Sequence, residues 1–193
     1  MAGQGRRHRI EGESSTRREL LAIMSVLGLG GLAGARALAQ PASERPKEGD
    51  LLVSTESENV LAPVDIPLGG PPVFAWPMDA VDKTIRKDSR LNKILLLRLQ
   101  PAMLVGATKD RAVEGVVGYS AICPHAGCEV NGWVEDQQVL ECSCHYSHYN
   151  PREAAAVIDG PASRALPALA LKVVDGKLAV AKPFTGRVGI VPS

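Results

Sequence analysis

Short apolar runs separated by turn residues are the main pattern in the body of the chain. Residues 92–99 (NKILLLRL) and 115–122 (GVVGYSAI) are apolar runs of strand length, and we expect both to form β-strands. Beyond residue 39, no long segment repeats its apolar positions at the 3.6-residue period of an amphipathic helix. Several short strands with turns between them predict an all-β fold, an antiparallel sandwich or barrel.

Two pairs of apolar runs are joined by turn residues and predict hairpins. Residues 169–174 and 177–181 flank Asp175-Gly176, and Asp-Gly between alternating apolar runs is the strongest short-range hairpin signal. Residues 129–134 and 138–141 flank a second turn at Glu135-Asp136. Both hairpins fit an antiparallel sheet.

Three segments before residue 92 predict less regular structure. Residues 41–50 are rich in Pro, Glu, Lys and Ser and are interpreted as a linker. Residues 61–77 are dense in Pro and Gly, which predicts extended, irregular chain. Residues 78–90 are expected to contain one short helix.

The first 39 residues have the layout of an export signal. Arg17-Arg18 precedes sixteen uncharged residues (20–35), and Ala37-Leu38-Ala39 offers a cleavage site before Gln40. The paired arginines resemble a twin-arginine signal, which exports folded proteins. The alternative is a retained membrane anchor, although sixteen residues fall short of the ~20 needed to span a bilayer. In both cases we expect residues 40–193 to form a domain in the periplasm, where disulfides persist.

Composition and charge exclude two other classes of protein. Apolar residues make up 45% of the chain and charged residues 22%, which is typical of a globular protein and excludes a disordered one. The net charge is only +1 and aromatic residues make up 4%, so there is neither a basic surface nor a set of stacking platforms for nucleic acid.

All four cysteines and three of the four histidines lie in one 26-residue window. They form two boxes, CPHAGC at 123–128 and CSCH at 142–145, each of which we expect on a loop that follows a strand. Thiolates and imidazoles in such proximity suit zinc or an iron–sulfur cluster. The window therefore predicts a metal centre.

The two boxes and their spacing resemble the Rieske iron–sulfur family, in its disulfide-containing, high-potential branch. The resemblance implies a [2Fe–2S] cluster in which two histidines replace two cysteines on one iron. Mapped on this sequence, one iron is held by Cys123 and Cys142, and the other by His125 and His145.

The same resemblance gives roles to further residues. It implies a disulfide between Cys128 and Cys144 that joins the two cluster loops. Ser147 and Tyr149 match the family's hydroxyl pair, which donates to a bridging sulfide and to a cysteine sulfur. Gly160-Pro161-Ala162 resembles the family's proline loop. The implied fold is a Rieske-type antiparallel β sandwich or barrel, with a cluster-binding subdomain at about 119–162.

Two alternatives to an iron–sulfur cluster, a structural zinc site and a pair of structural disulfides, give a role to fewer of the residues in this window. A structural zinc site needs four ligands and leaves the second cysteine of each box and the hydroxyl pair without a role. Two structural disulfides leave His125 and His145 without a role. His148 follows the second box and is interpreted as a surface residue.

The resemblance implies a carrier of single electrons. A Rieske oxygenase is excluded because its second iron needs two more histidines and a carboxylate. Of the two histidines that remain, His8 lies in the expected export signal, which leaves only His148. The export signal and the weak apolar anchor favour a small periplasmic subunit similar to that of arsenite oxidase. Its partners would be a larger, molybdopterin-type subunit and a c-type cytochrome or similar acceptor. The alternatives are the quinol-oxidising Rieske subunit of a cytochrome bc complex and a free periplasmic carrier.

Overall fold

The computed structural model describes residues 41–190, and β-strands dominate this part of the chain. One short α-helix, α1, covers Gly106–Arg111, and the other helical turns are 3-10 helices at Pro41–Ser43, Pro63–Asp65, Arg90–Asn92 and Pro101–Met103. The strands are β1 (Leu51–Ser54), β2 (Val73–Met78), β3 (Ile94–Arg98), β4 (Val116–Ser120), β5 (Gly132–Val134), β6 (Val139–Cys142), β7 (Ser147–Asn150), β8 (Ala156–Asp159), β9 (Ala168–Val174) and β10 (Lys177–Lys182).

The strands form two antiparallel sheets. Six of them close a barrel in the order β1-β10-β9-β4-β3-β2. The other four form a small sheet in the order β5-β6-β7-β8, which is inserted in sequence between β4 and β9. This arrangement confirms the predicted all-β class, with a barrel and a smaller sheet. The first cysteine-containing box lies in the connection from β4 to β5, and the second lies at the turn from β6 to β7.

Burial of both faces of β3 explains why its sequence is an unbroken apolar run. Ile94 and Leu96 belong to one buried cluster, together with Leu52 of β1 and residues of β9 and β10. Leu95 and Leu97 belong to a second cluster, which includes residues of the small sheet. Because alternate side chains point to opposite faces of a strand, β3 is buried on both faces and joins the two cores.

Glycine at position 70 allows a close contact between the two sheets. A Cβ atom there would lie 2.6 Å from the ring of Trp133 on β5, and the φ angle of Gly70 is +89°. The amide of the preceding Gly69 donates to the carbonyl of Arg98 at the end of β3, at 2.8 Å. The segment before β2 therefore packs on the small sheet while it is hydrogen-bonded to the barrel.

The predicted strands and hairpins are confirmed to within three residues at their ends. The runs at 92–99 and 115–122 contain β3 and β4. At the β9–β10 turn, Asp175 and Gly176 have φ angles of +49° and +74°. Two successive positive φ angles are the requirement of a type I′ turn, which explains the Asp-Gly signal.

One prediction for the segments before β3 was wrong and another was wrong in part. Residues 78–89 form no helix; Met78 and Ile85 form an antiparallel bridge around a turn, and Arg90 only begins a 3-10 turn that ends at Asn92. Residues 61–72 are irregular, as predicted, apart from a 3-10 turn at Pro63–Asp65, but residues 73–77 form most of β2 in spite of their proline. Pro77 is tolerated because β3 pairs only with residues 73–75, so the missing amide of Pro77 breaks no bond of that ladder.

The interpretation of residues 41–50 as a linker was also wrong. Gly49 donates to the carbonyl of Val180 at 2.9 Å, and Val180 donates to that of Asp50 at 2.8 Å. This segment therefore lies against β10, and Asp50 is buried.

The expected export signal, residues 1–39, lies outside the described residues. Within residues 41–190, no helix has the length and apolar character to cross a membrane.

Candidate metal centre

The first box forms a tight loop directly after β4. The amide of Cys123 donates to the carbonyl of Cys128 at 2.8 Å, and Gly127 donates back to Cys123 at 3.0 Å. Gly127 has a φ angle of +73°, a conformation that glycine adopts without strain. From outside the loop, the guanidinium of Arg90 donates to the Gly127 carbonyl.

The second box forms the turn between β6 and β7. Cys142 ends β6, and its carbonyl accepts from the amide of Tyr146 at 2.8 Å. Tyr146 has a φ angle of +56°, which is uncommon for a bulky residue, and its side chain is exposed. The strand–turn–strand geometry thus holds His145 at the exposed end of the small sheet.

A disulfide joins these two loops. It links Cys128 to Cys144, whose Cα atoms lie 6.5 Å apart, and confirms the predicted pairing. The sulfur of Cys142 lies within 4.8 Å of both disulfide sulfurs. Those three sulfurs do not form a metal site of their own, because the two in the disulfide are not thiolates.

Cys123 and Cys142 remain as buried free thiols beside the disulfide. Burial raises the pKa of the Cys142 thiol, and the neighbouring Cys123 raises it further. Two thiolates in one buried site repel each other, and a bound cation offsets the unfavourable electrostatic energy of this repulsion. The pair therefore fits two ligands of a metal centre.

The two box histidines pack against each other. The ring centroids of His125 and His145 lie 4.7 Å apart, with their planes nearly perpendicular at 88°. The Nδ1 atom of His125 is buried and has no hydrogen-bond partner among the described residues. Since buried polar atoms normally have a partner, this nitrogen fits a metal ligand. Two thiols and two imidazoles are the donor set of a mixed Cys/His iron–sulfur cluster.

Tyr149 contacts the first box through its hydroxyl group. Its hydroxyl oxygen is 3.1 Å from the sulfur of Cys123, and its side chain is fully buried on β7. Burial, followed by the contact with Cys123, raises the pKa of Tyr149 well above its usual value, while Ser147 opposes this shift. The hydroxyl therefore stays protonated and can donate to the Cys123 sulfur.

A third loop covers the second box. The buried hydroxyl of Ser147 accepts from the amide of Ala162 at 3.1 Å. A Cβ atom on Gly160 would lie 2.5 Å from the Cα of Ser147, so only glycine fits there. Gly160-Pro161-Ala162 thus packs on the β6–β7 turn, where the resemblance had placed the proline loop.

Two contacts at this site were not predicted. His148 lies on β7, outside the two boxes, and its Nε2 atom is 2.9 Å from a carboxylate oxygen of Glu141. Arg90 reaches the first box from 37 residues earlier in the chain. An arginine beside β3 carries no sequence signal for such a contact, because the pairing depends on the barrel topology.

Comparisons with known proteins agree with this donor set. The model of the Rieske [2Fe-2S] domain family matches residues 92–174. The chain is 32% identical over 146 residues to the cytochrome bc1 complex Rieske iron-sulfur subunit of Streptomyces lividans, covering 74% of this chain and 85% of that protein. It is 44% identical over 118 residues to the putative respiratory nitrate reductase subunit Rieske of Haloferax mediterranei, covering 61% of this chain and 50% of that protein.

A solved structure gives a more distant likeness. The ferredoxin of carbazole 1,9a-dioxygenase from Nocardioides aromaticivorans is 16% identical, with a TM-score of 0.43, over 68% of this chain and 98% of that one. The stronger sequence matches imply a Rieske-type [2Fe–2S] cluster and electron transfer for this chain. From the two boxes, the disulfide between them and these relatives, the chain belongs to the Rieske [2Fe–2S] family.

Proposed function

We propose that Cys123 and Cys142 bind one iron of the cluster, and that His125 and His145 bind the other. The observation that carries this assignment is the pair of buried free thiols in the two disulfide-linked boxes, together with the unpartnered, buried Nδ1 atom of His125. When bound, such a cluster supplies a one-electron couple at roughly −150 to +300 mV. On this assignment the chain transfers single electrons and is not a complete catalyst.

The surrounding residues position the ligands and adjust their charge. The disulfide fixes the first box against the second, and Tyr149 donates to the sulfur of Cys123. Donation to a thiolate sulfur withdraws negative charge and so favours the reduced state. His145 is exposed at the end of the small sheet, which gives a partner protein access to this ligand.

We further propose that the protein is a periplasmic subunit of a larger oxidoreductase, with a molybdopterin-type large subunit and a c-type cytochrome or similar acceptor. The export-type layout of residues 1–39 supports this role. So does the similarity to the Haloferax mediterranei protein, which is described as a putative respiratory nitrate reductase subunit. The second candidate is the Rieske subunit of a cytochrome bc complex. It is favoured by the match to the Streptomyces subunit, of which this chain covers 85%.

Purification of the native complex distinguishes these roles. We expect the mature protein in the periplasmic fraction, beginning at Gln40, together with a larger subunit that contains molybdenum. Co-purification with b-type haem and an intact N-terminus in the membrane would instead establish the cytochrome bc role. An isolated soluble chain that reduces a c-type cytochrome by itself would contradict both subunit roles.

The hydroxyl pair is expected to raise the reduction potential. A charge-assisted hydrogen bond contributes roughly 1.5–3 kcal/mol, of which we expect ~1–2 kcal/mol to differ between redox states. For a one-electron couple, 1.4 kcal/mol corresponds to about 59 mV. Tyr149→Phe and Ser147→Ala should each lower the midpoint potential by several tens of millivolts, measured by protein-film voltammetry with the cluster retained.

Tyr119→Phe is the matched control for this measurement. The Tyr119 hydroxyl is also buried, but it donates to the carbonyl of Pro151 at 2.7 Å and not to a ligand sulfur. Burial raises the pKa of Tyr119 to about 12, so this hydroxyl is likewise protonated. An equal shift in Tyr119→Phe and Tyr149→Phe would show that the effect comes from lost packing.

Loss of the disulfide is expected to destabilise the cluster more than the barrel. The bond closes a loop with a sequence separation of 16, for which the chain-entropy relation gives about 3 kcal/mol. The double variant Cys128→Ser/Cys144→Ser leaves no odd thiol and should lose its visible absorbance in air far faster than wild type. Its circular dichroism spectrum should remain that of a β protein. A double variant with a wild-type cluster lifetime would contradict this expectation.

A further inference from the structure

An open cavity of about 560 Å³ lies beside the segment that follows the proline loop. Three arginines line it, each from a different part of the chain. Arg111 ends α1, Arg164 follows the proline loop, and Arg187 lies in the segment after β10. No acidic side chain lines this cavity, and Asp110 lines the neighbouring one.

Positive charge elsewhere in the described structure is commonly paired with acidic groups. Lys47, Lys87, Lys93 and Lys172 each form an ion pair with a carboxylate. Within residues 41–190, none of the three cavity arginines forms an ion pair with an acidic side chain. Concentrated like charge is unfavourable by itself, and it attracts anions.

The hydrogen bonds made by these arginines are few. Arg164 donates to the carbonyl of Gly189 at 2.6 Å, and Arg111 donates to that of Ala107 at 3.3 Å. Arg187 forms no hydrogen bond with any described residue, and its charge acts on another cation, Arg45. A guanidinium has five N–H donors in a planar fork that matches carboxylate and phosphate oxygens. Most of the donors around the cavity are therefore available for a ligand.

The cavity is linked to the metal centre through backbone contacts. Arg164 lies two residues after Ala162, whose amide donates to Ser147 beside the second box. The carbonyl that Arg164 binds belongs to Gly189, and the next residue, Ile190, packs close to Gly127 of the first box. A ligand on Arg164 would thus lie beside two segments, one that packs next to the second box and one that packs next to the first.

We propose that the cavity lined by Arg111, Arg164 and Arg187 binds a small multivalent oxyanion of the phosphate or carboxylate class. The three positive charges, the lack of acidic side chains in the lining and the free guanidinium donors select for such a ligand. Its binding does not depend on the identity of the cluster ligands or of the partner subunit.

Calorimetric titration of the full-length, cluster-loaded protein at low salt tests the proposal, with inorganic pyrophosphate and citrate as probes. We expect saturable binding of at least one of them. The double variant Arg111→Gln/Arg187→Gln should weaken that binding by about a hundredfold, because each of the two lost charge-assisted contacts contributes about a factor of ten. The matched control Lys83→Gln/Lys87→Gln removes the same charge from another surface and should keep the wild-type affinity.

Hydrogen exchange of the wild-type protein, with and without the anion, locates the binding site without using any variant, so this test does not depend on how the variants fold. In wild-type protein, the bound anion should protect amides in residues 160–166 and 185–189 and leave those of β1 and β2 unchanged. Equal loss of affinity in both double variants, or no saturable binding of either probe, would overturn the proposal. So would saturable binding of a hexaglutamate peptide alone, since the cavity would then be a contact for an acidic protein.

Discussion

Replacing Cys123, His125, Cys142 or His145 one at a time is expected to give a folded protein without its [2Fe–2S] centre. Each residue would be the only occupant of one coordination position. The described residues offer no substitute thiolate, because the two remaining cysteine sulfurs are joined in the disulfide. Serine at 123 or 142 retains the size of the side chain and removes the soft sulfur ligand.

Iron and acid-labile sulfide analysis measures this loss directly. Wild type should contain the full iron and sulfide of a [2Fe–2S] centre and show the low average g value of mixed His/Cys ligation in electron paramagnetic resonance. Cys123→Ser, His125→Gln, Cys142→Ser and His145→Gln should contain almost none and retain the β-type circular dichroism spectrum. If any of these variants has the iron content and the electron paramagnetic resonance signal of wild type, the residue replaced in it is not a cluster ligand.

His148→Gln is the matched control. His148 lies three residues after His145, but it faces Glu141 on the neighbouring strand, at 2.9 Å. Its replacement removes an imidazole from the same strand–turn–strand unit without removing a proposed ligand. We therefore expect His148→Gln to keep the full iron content. If His148→Gln also lost its iron, the loss in the four ligand variants would not identify ligands, because any change in this strand–turn–strand unit would release the cluster.

The candidate centre could be predicted from sequence because its residues come from two short loops. Each box places a cysteine and a histidine within three residues of each other, and the tight turns keep them close in space. The β9–β10 hairpin was predictable for the same reason, since the requirement for positive φ angles is local to Asp175-Gly176.

Contacts between distant segments could not be read from the sequence. Arg86 lies in a polar segment that resembles a solvent-exposed surface, yet its side chain is only 1% exposed. Its partners Asp50 and Glu44 are 36 and 42 residues earlier, in the segment interpreted as a linker. The antiparallel pairing of β1 with β2 sets Leu51 opposite Met78, and this brings the segment before β1 to the arginine that follows β2.

Removal of the Arg86 guanidinium is expected to be the most destabilising single change outside the metal centre. Arg86 donates to both carboxylate oxygens of Asp50, at 2.8 and 3.2 Å, and Asp50 is as deeply buried as the arginine. It also donates to Asp79 at 3.0 Å and to Glu44 at 2.8 Å. Without the arginine, a buried carboxylate has lost its cation, which typically costs about 3–5 kcal/mol.

The same network makes stability sensitive to acid. Hydrogen bonds from Lys47 first, and then from the amide of Val81, hold the pKa of Asp79 well below its usual value. A depressed pKa in the folded state stabilises the protein above the unfolded pKa of about 4. This contribution should decline as pH falls below that value, and Asp79→Asn should make the decline shallower.

Urea unfolding of Arg86→Met, followed at pH 7 with the cluster loaded, measures the loss of about 3–5 kcal/mol. Lys87→Gln is the control, because its ion pair with Glu58 is half-exposed on both sides and should contribute at most about 1 kcal/mol. The double variant Arg86→Met/Asp50→Leu removes both buried charges, so it should be more stable than Arg86→Met alone. If the double variant is less stable than Arg86→Met, the loss comes from packing around the arginine stem and not from the unpaired carboxylate.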